Sequence, residues 1–269
     1  EALATYNGDS KILLVLMASV LLSCMGTNVL TCYVDRDIDS IMKRTIGRPL
    51  PMKKICPRSA LSLGFSLLTL GILLASLINI YVVLWGLVGA GLVFLYNSKL
   101  KRATPYSILI ASPAGAMPIL GAYSAMTGDL VALQPLVLAL LIVFWTPIHI
   151  WSLVLSYKED YRMAGVCMFP VVRSASGVTK LISLFTTLYV ADAFVLFFMI
   201  KPIWISFFTV LIMCYPMVKS LLRLCGSSSI VANLSLFRLS SLHLGVILLT
   251  YLALSVKDSV ARYLLIFLS

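Results

Sequence analysis

The sequence predicts an all-α, polytopic transmembrane helical bundle, on three observations. Of its 269 residues 61% are hydrophobic and only 12% charged, whereas soluble domains carry roughly 45–50% apolar and about 25% charged residues to wrap a core in water. The apolar residues come in successive runs of about 20, the length that carries a helix across a hydrocarbon layer about 30 Å thick. Lys and Arg gather on alternate connections, the pattern that orients a chain with several spans.

The spans are expected near 12–34, 59–79, 81–97, 107–127, 133–156, 178–200, 202–221 and 237–256, eight helices in one domain covering 1–269. The first follows a short polar stretch, Glu1 to Lys11, and ends at the acidic run YVDRDID. The second and third are joined by almost nothing, as are the sixth and seventh. The fourth carries Pro113 and Pro118 and the fifth Pro147. These prolines are expected to kink their helices where Gly115 and Gly121 allow close packing, opening a central space; ordinary membrane packing would use the same residues. The sixth holds a lone Asp192, read as a neutral or paired buried acid or as a polar contact to a substrate. The apolar tail Tyr263 to Leu268 is too short to cross. Six cysteines, Cys24, Cys32, Cys56, Cys167, Cys214 and Cys225, show no CxxC or zinc spacing and read as small apolar packing residues. No signal peptide and no initiator Met are present, so further residues are expected upstream.

The net charge of +11 suits nucleic acid, anionic lipid or an anionic substrate, and placement decides among them. Segment 35–59 carries Arg36, Lys43, Arg44, Arg48, Lys53, Lys54 and Arg58, and segment 97–106 carries Lys99, Lys101 and Arg102. Lys158, Arg162, Arg173 and Lys180 follow in 156–180, then Lys219, Arg223 and Arg238 in 219–238; only Lys11, Lys201, Lys257 and Arg262 fall elsewhere. These long loops are therefore expected on the cytoplasmic side, with no nucleic acid as partner. Anchoring at the headgroups explains many of the cations, but not the acids among them. Asp35, Asp37 and Asp39 stand where the first helix leaves the membrane, and Glu159 and Asp160 where the fifth does. Carboxylates at a helix C-terminus oppose its dipole, so something else must favour them. If the helix runs on past Tyr33, Asp35 and Asp39 share one face at i and i+4, ready to share a cation. Oxygen-only ligands suit Mg²⁺, completed by substrate phosphates and water. Lys43, Arg44, Arg48, Lys101 and Arg102 would hold the remaining phosphate charge. An acidic helix end beside a basic loop is equally a solvated connection; two such clusters on one face favour a metal-diphosphate site.

The run NVLTCYVDRDIDSIMKRTIGRPLP resembles the first Asp-rich motif of the UbiA-type intramembrane prenyltransferases, and its DRDID..M.RT..RP form is similar to their protoheme IX farnesyltransferase (heme O synthase) branch. YNSKLKRATPYS, GAMPILGAYSAMTG and WTPIHIWSLVLSYKEDYRMAGVCMFPVV agree with it, from about Asn28 to Val172. The resemblance implies nine helices around a central cavity, so the eight spans would be helices two to nine, with the family's first helix absent from this chain. It assigns Asp35, Asp39 and Asp160 as metal-binding acids, Tyr161 as a catalytic neighbour, and Lys158 to the diphosphate. The family usually carries Asn four residues before the first Asp; here Thr31 stands there and Asn28 lies three residues earlier, both read as supporting residues.

The implied activity is Mg²⁺-dependent transfer of a farnesyl group from farnesyl diphosphate to a vinyl group of heme B, with addition of water, giving heme O. The implied partners are farnesyl diphosphate, heme B, the bilayer and the next enzyme of heme modification. The implied location is the cell membrane, or the inner mitochondrial membrane in a eukaryote. His149, flanked by Trp145 and Trp151, is then the expected heme contact or iron ligand, while His243, on no family motif, reads as a buried structural residue. Trp145 and Trp151 are six apart and do not share a helical face. Two alternatives stand: a family member acting on a quinone precursor or glycerol phosphate, and a non-catalytic transporter or heme-binding membrane protein whose acids bind an ion.

Overall fold

The computed structural model describes residues 10–200, 203–226 and 229–268, with side chains through 256. These residues form helices and connections with no strand among them. Helix α1 (Ser10–Val34) leads directly into α2 (Arg36–Ile41). The amide of Asp35 donates to the Thr31 carbonyl at 2.9 Å and that of Asp39 to the Asp35 carbonyl at 2.8 Å, so the two form nearly one rod. The chain then turns repeatedly through 42–56, with Lys53 in a left-handed conformation (φ 56°). Helix α3 (Pro57–Ser76) starts on a proline, which lacks the amide hydrogen that a first-turn position cannot use. Helix α4 (Ile80–Leu95) is capped by Asn79, whose side chain accepts from the Val82 amide at 3.0 Å. It continues through a π-helical turn, Tyr96–Leu100, into the short α5 (Lys101–Ala103).

The fourth span is broken, as its prolines predict. Helix α6 (Ser107–Ala111), a 3₁₀ turn Ser112–Ala116 begun around Pro113, and α7 (Met117–Thr127) beginning around Pro118 follow one another. Gly128, at φ 79°, ends α7, a conformation that costs glycine nothing. Helix α8 (Leu133–Ser156) keeps Pro147 in its interior. The short α9 (Lys158–Met163) and α10 (Phe169–Val172) lead to α11 (Ala175–Phe198), α12 (Ile203–Gly226) and α13 (Ile230–Leu268).

Eight stretches are long and apolar enough to cross a membrane: Lys11–Val34, Pro57–Ser76, Ile80–Ala103, Ser107–Thr127, Leu133–Ser156, Ala175–Phe198, Ile203–Gly226 and Ile230–Val256. They match the eight expected spans, with three extensions, the seventh running on from 221 to Gly226. The third runs on to Ala103 through the π turn, and the last begins at Ile230 rather than 237, with Asn233 buried inside the bundle and Arg238, within the span, exposed on its outer face. Of the cations expected on the opposite side, Lys201 lies outside the described residues, as do the side chains of Lys257 and Arg262.

Two helix groups make the bundle. In one, α1 and α3 touch backbone to backbone: a Cβ on Gly26 would fall 2.5 Å from the Leu68 amide nitrogen, and one on Gly71 2.7 Å from the Ser23 amide nitrogen. Such approach is how membrane helices gain dispersion contact where lipid removes the hydrophobic drive. Ser19 adds a hydrogen bond from its hydroxyl to the Gly71 carbonyl at 2.8 Å. In the other group, α8, α11, α12 and α13 share the main core, with Ile148, Trp151, Ile182, Tyr189, Met217 and Leu236 fully enclosed. The broken span α6–α7 packs on both α4 and α8 and joins the groups. Large apolar side chains such as Leu73, Trp204, Ile212 and Leu249 point outward, as a bilayer-facing surface requires.

Candidate active site

The α1–α2 rod places Asp35 and Asp39 one turn apart, both buried, while Asp37 between them faces outward. Each of the three meets a cation from elsewhere. Lys101 Nζ pairs with Asp35 Oδ1 and also donates to Asn97 Oδ1 at 3.3 Å. Arg48 Nη1 donates to Asp39 Oδ2 at 2.7 Å. Arg102 Nη2 spans both Asp37 oxygens at 2.9 and 2.7 Å. The π turn just before Lys101 inserts a residue into the helix, a device frequent at functional positions, and Asn97 within it donates to Thr31 Oγ1 at 3.4 Å and to the Val93 carbonyl at 2.8 Å. Thr31 is therefore held under Asp35 through Asn97.

The second acidic segment is brought to the same place by backbone bonds. The Cys167 amide donates to the Lys101 carbonyl at 2.8 Å and the Phe169 amide to the Pro105 carbonyl at 3.1 Å. Lys101 thus holds the first motif by its ammonium and the second by its carbonyl. Within α9, Asp160 and Tyr161 are buried. Tyr161 lies close to Arg44, Arg48 and Asp35. Asp160 has no side-chain partner among the described residues. Two members of the expected diphosphate set, Lys158 and Lys43, are not turned to these acids, and neither is Glu159 of the second acidic segment. Lys158 donates to the Arg173 carbonyl at 3.1 Å, and Glu159 pairs with Arg162 at 2.8 Å on the surface. Lys43 is exposed.

Burial sets the electrostatics. It pushes the Asp35 carboxyl above the usual range, with Lys101 offsetting only part of that. At Asp37 burial is the largest single influence and pushes upward, but the bond and charge of Arg102 together with the amides of Ile38 and Asp37 outweigh it, and the carboxyl sits below its ordinary value. Burial works to lower Arg48, and the Asp39 carboxylate more than restores it. Tyr161 is raised by burial against the pull of Arg44.

Below this mouth lies a partly open cavity of about 300 Å³ between α1, α3, α4 and the α6–α7 span, bordered by Asn28, Thr27, Trp85, Gly89, Met117 and Gly121. Asn28 is seven residues before Asp35 and so on the same face of the rod, about 10 Å lower.

His149 sits edge-out between two rings, Trp145 (centroids 4.4 Å apart, 18° between planes) and Phe237 (4.3 Å, 28°). Its Nδ1 lies 3.0 Å from Ser240 Oγ and 3.3 Å from Ser241 Oγ. Both hydroxyls also reach the Phe237 carbonyl, at 2.8 and 3.3 Å, and the tautomer with its proton on Nδ1 satisfies all of these contacts. The lone pair is left on Nε2, as the bond made by one ring nitrogen fixes the role of the other. Trp145 is fixed by its own N–H to the Ser240 carbonyl at 2.9 Å. Trp151 goes elsewhere: fully buried, it packs on Phe169 and Phe185, bracing the loop that carries the second acidic segment. His243 joins the Tyr189 hydroxyl at 2.8 Å and the Met213 carbonyl at 2.9 Å, as a buried structural residue would. Sequence reasoning missed Asn97, Phe237 and Ser240. Asn97 stands four residues before Lys101, a findable helical spacing; nothing local marks Phe237 as a neighbour of His149.

Fold and site together define a multi-pass membrane protein with ion-paired carboxylates gathered at one mouth of an apolar bundle. The chain belongs to the UbiA prenyltransferase family, whose family model matches residues 2–255. It is 39% identical over 184 residues to the protoheme IX farnesyltransferase of Mycobacterium tuberculosis, covering 65% of this chain and 58% of that protein. It is 37% identical over 198 residues to protoheme IX farnesyltransferase 1 of Picrophilus torridus, covering 73% and 64%. The chain therefore spans less than two thirds of the length of these relatives. Among solved structures, a digeranylgeranylglyceryl phosphate synthase matches with a TM-score of 0.78 at 19% identity, over 94% of this chain and 89% of that one. A UbiA homolog from Archaeoglobus fulgidus bound to GPP and Mg²⁺ matches with a TM-score of 0.64 at 16% identity, over 93% of each chain. At these identities the likeness is one of fold.

Proposed function

We propose that this chain, as part of its whole protein, transfers a farnesyl group from farnesyl diphosphate to a vinyl group of heme B with addition of water, as a protoheme IX farnesyltransferase does. The observation that carries the reading is the convergence of both acidic segments on Lys101. The two relatives named above are 37–39% identical to the chain over 184–198 residues.

The donor chemistry fits Mg²⁺. The acids offer oxygen only, and among the described residues no three of His, Cys, Asp or Glu come together as a complete metal cage. That suits an ion held by one or two carboxylates and finished by substrate phosphate and water. One or two of Asp35, Asp39 and Asp160 would hold it. When bound, the ion supplies positive charge to the departing diphosphate. Lys101, Arg48 and Arg44 would turn from Asp35, Asp39 and Tyr161 to the phosphate oxygens, adding stabilisation where charge develops. Apolar walls keep water from the allylic cation until the vinyl group attacks. His149 would meet the heme iron through Nε2, with Trp145 and Phe237 holding the ring upright. The basic loops would lie in the cytoplasm.

The experiment is incubation of the full-length protein in membranes with heme B, farnesyl diphosphate and Mg²⁺. The expected product is a heme heavier by a farnesyl group and a hydroxyl. Absence of that mass, with prenyl transfer instead to a quinone precursor or to no acceptor in a panel, overturns the reading.

A further inference from the structure

The loop between α2 and α3 carries a surface that the proposed reaction leaves unused. Between Asp39 and Asp129 the chain has no acidic residue, yet this loop holds Lys43, Arg44, Arg48, Lys53 and Lys54, with Arg58 just inside α3. Arg48 is taken by Asp39, and Arg44 lies close to Tyr161. Lys43, Lys53, Lys54 and Arg58 are exposed and form no ion pair among the described residues. Interleaved with them are Ile46, Met52 and Ile55, each about half exposed. We propose that this surface docks on the anionic phospholipid headgroups of the membrane in which the bundle stands, and that the contact steadies the loop that delivers Arg48 to Asp39.

Position, chemistry and connection each point this way. From Met52 through Ser59 every residue is exposed, an unbroken strip of two apolar side chains, three cations and small neighbours. The second apolar span begins at Pro57, so the strip lies where the chain enters hydrocarbon, at the depth of the headgroups. Met52 and Ile55 can enter the acyl boundary there, while Lys53, Lys54 and Arg58 lay their apolar stems along it and reach phosphate with their charged ends. Each cation near an anionic leaflet favours the bound state about fivefold. An acidic protein would also satisfy the cations; the depth of the strip selects lipid.

Backbone bonds tie the strip to the site. The Met52 amide donates to the Arg48 carbonyl at 3.1 Å, that of Lys53 to the Leu50 carbonyl at 3.0 Å and that of Lys54 to the Pro49 carbonyl at 2.9 Å. The Arg48 amide in turn donates to the Thr45 carbonyl at 2.9 Å, and the Thr45 hydroxyl to the Asp39 carbonyl at 3.3 Å. A headgroup that holds Lys53 and Lys54 therefore holds Arg48 as well. The contact does not depend on which substrate the site takes.

The test is hydrogen exchange of the full-length protein in lipid discs. One disc is phosphatidylcholine alone, and two others carry about 30% phosphatidylglycerol or about 30% phosphatidylserine, which give the surface negative charge. The amides of Arg48, Met52, Lys53 and Lys54 are expected to exchange about fivefold more slowly, or slower still, in both charged discs than in the neutral one. That gain should vanish in about 0.5 M salt, where screening shortens to about 4 Å. Lys53→Gln combined with Lys54→Gln should exchange at the parent's neutral-disc rate in all three discs, with an unchanged melting temperature. Equal rates in every disc overturn the proposal, whether fast throughout or slow throughout, the latter being the mark of a protein segment covering the strip. Slowing by only one of the two charged lipids, or slowing that salt leaves intact, overturns it too. Slowing that stops at Met52 and leaves the Arg48 amide unchanged overturns the link to the site. The salt comparison is made on the unaltered protein, so the proposal stays falsifiable if the double variant does not fold.

Discussion

Removing Lys101 is the sharpest test of how the site is built. Its side chain is 5% exposed and that of Asp35 12%, so Lys101→Met leaves a carboxylate in the mouth of the bundle without its cation. Breaking a buried pair by one partner costs about 3–5 kcal/mol, whereas replacing both partners with apolar groups of similar volume is nearly neutral. For a chain of this size, with each kcal/mol moving Tm by about 2–4 °C, the single variant should melt roughly 6–20 °C lower. Asp35→Asn should lose a comparable amount by stranding Lys101, while the double variant with Asp35→Leu and Lys101→Met should recover most of either loss. The pH dependence has a definite sign. Burial already holds Asp35 above the usual carboxylate range, and without Lys101 its proton is bound more tightly still in the folded state. A group whose folded pKa is raised favours folding below it and loses that contribution as pH rises through it. The penalty of Lys101→Met should therefore shrink toward acid and grow toward neutral pH. Thermal unfolding of the parent, two singles and the double in detergent, without diphosphate or metal, measures it. Losses under about 1 kcal/mol in each single, or losses that simply add in the double, would refute the pairing.

Four further outcomes follow from named contacts. Asp35→Asn should abolish prenyl transfer while heme binding persists, read by product mass and by the heme absorption spectrum. His149→Phe keeps a ring between Trp145 and Phe237, so its melting temperature should stay near the parent's while the heme spectrum changes. Asp192 is buried with Oδ2 unpartnered; Asp192→Leu should stabilise the bundle by about 1–3 kcal/mol, and destabilisation would point to a partner for it. Tyr189→Phe takes away the hydroxyl beside His243 and should cost about 1–3 kcal/mol, seen in unfolding.

How much of this was legible depends on the range of the interaction. The spans were readable because burial in lipid imposes a length on every helix, and even the break in the fourth was signalled by Pro113 and Pro118. The carboxylate pair was readable because i and i+4 is a local spacing; the ladder through Asp35 to Asp39 supplies it. Partner choice was not. Lys43 and Arg48 are five apart, yet only Arg48 turns inward to Asp39, because the turns of 42–48 wrap back over α2. Trp145 and Trp151 share one motif, but the helical phase sends one to His149 and the other to Phe169. Phe237 and Ser240 arrive from α13, some ninety residues away, and no pattern near His149 names them.

The pairing of every first-motif acid with a cation carries a functional consequence. Carboxylates placed at a helix end and buried would repel one another and lose solvation, so the protein needs counter-charge there before any substrate arrives. Lys101, Arg48 and Arg102 supply it from three different places along the chain. Under the proposed function an incoming metal and diphosphate bring both signs of charge at once. The metal satisfies the acids and the phosphates satisfy the cations, so the site exchanges one neutral arrangement for another. Neither component binds well alone on this account: metal without diphosphate must compete with Lys101 and Arg48, and diphosphate without metal must approach Asp35 and Asp39. Binding of the two should therefore be mutually dependent, each raising the affinity of the other by the same factor. Titration of the metal with and without a non-hydrolysable prenyl diphosphate analogue measures it, and equal metal affinity in both cases would refute the exchange.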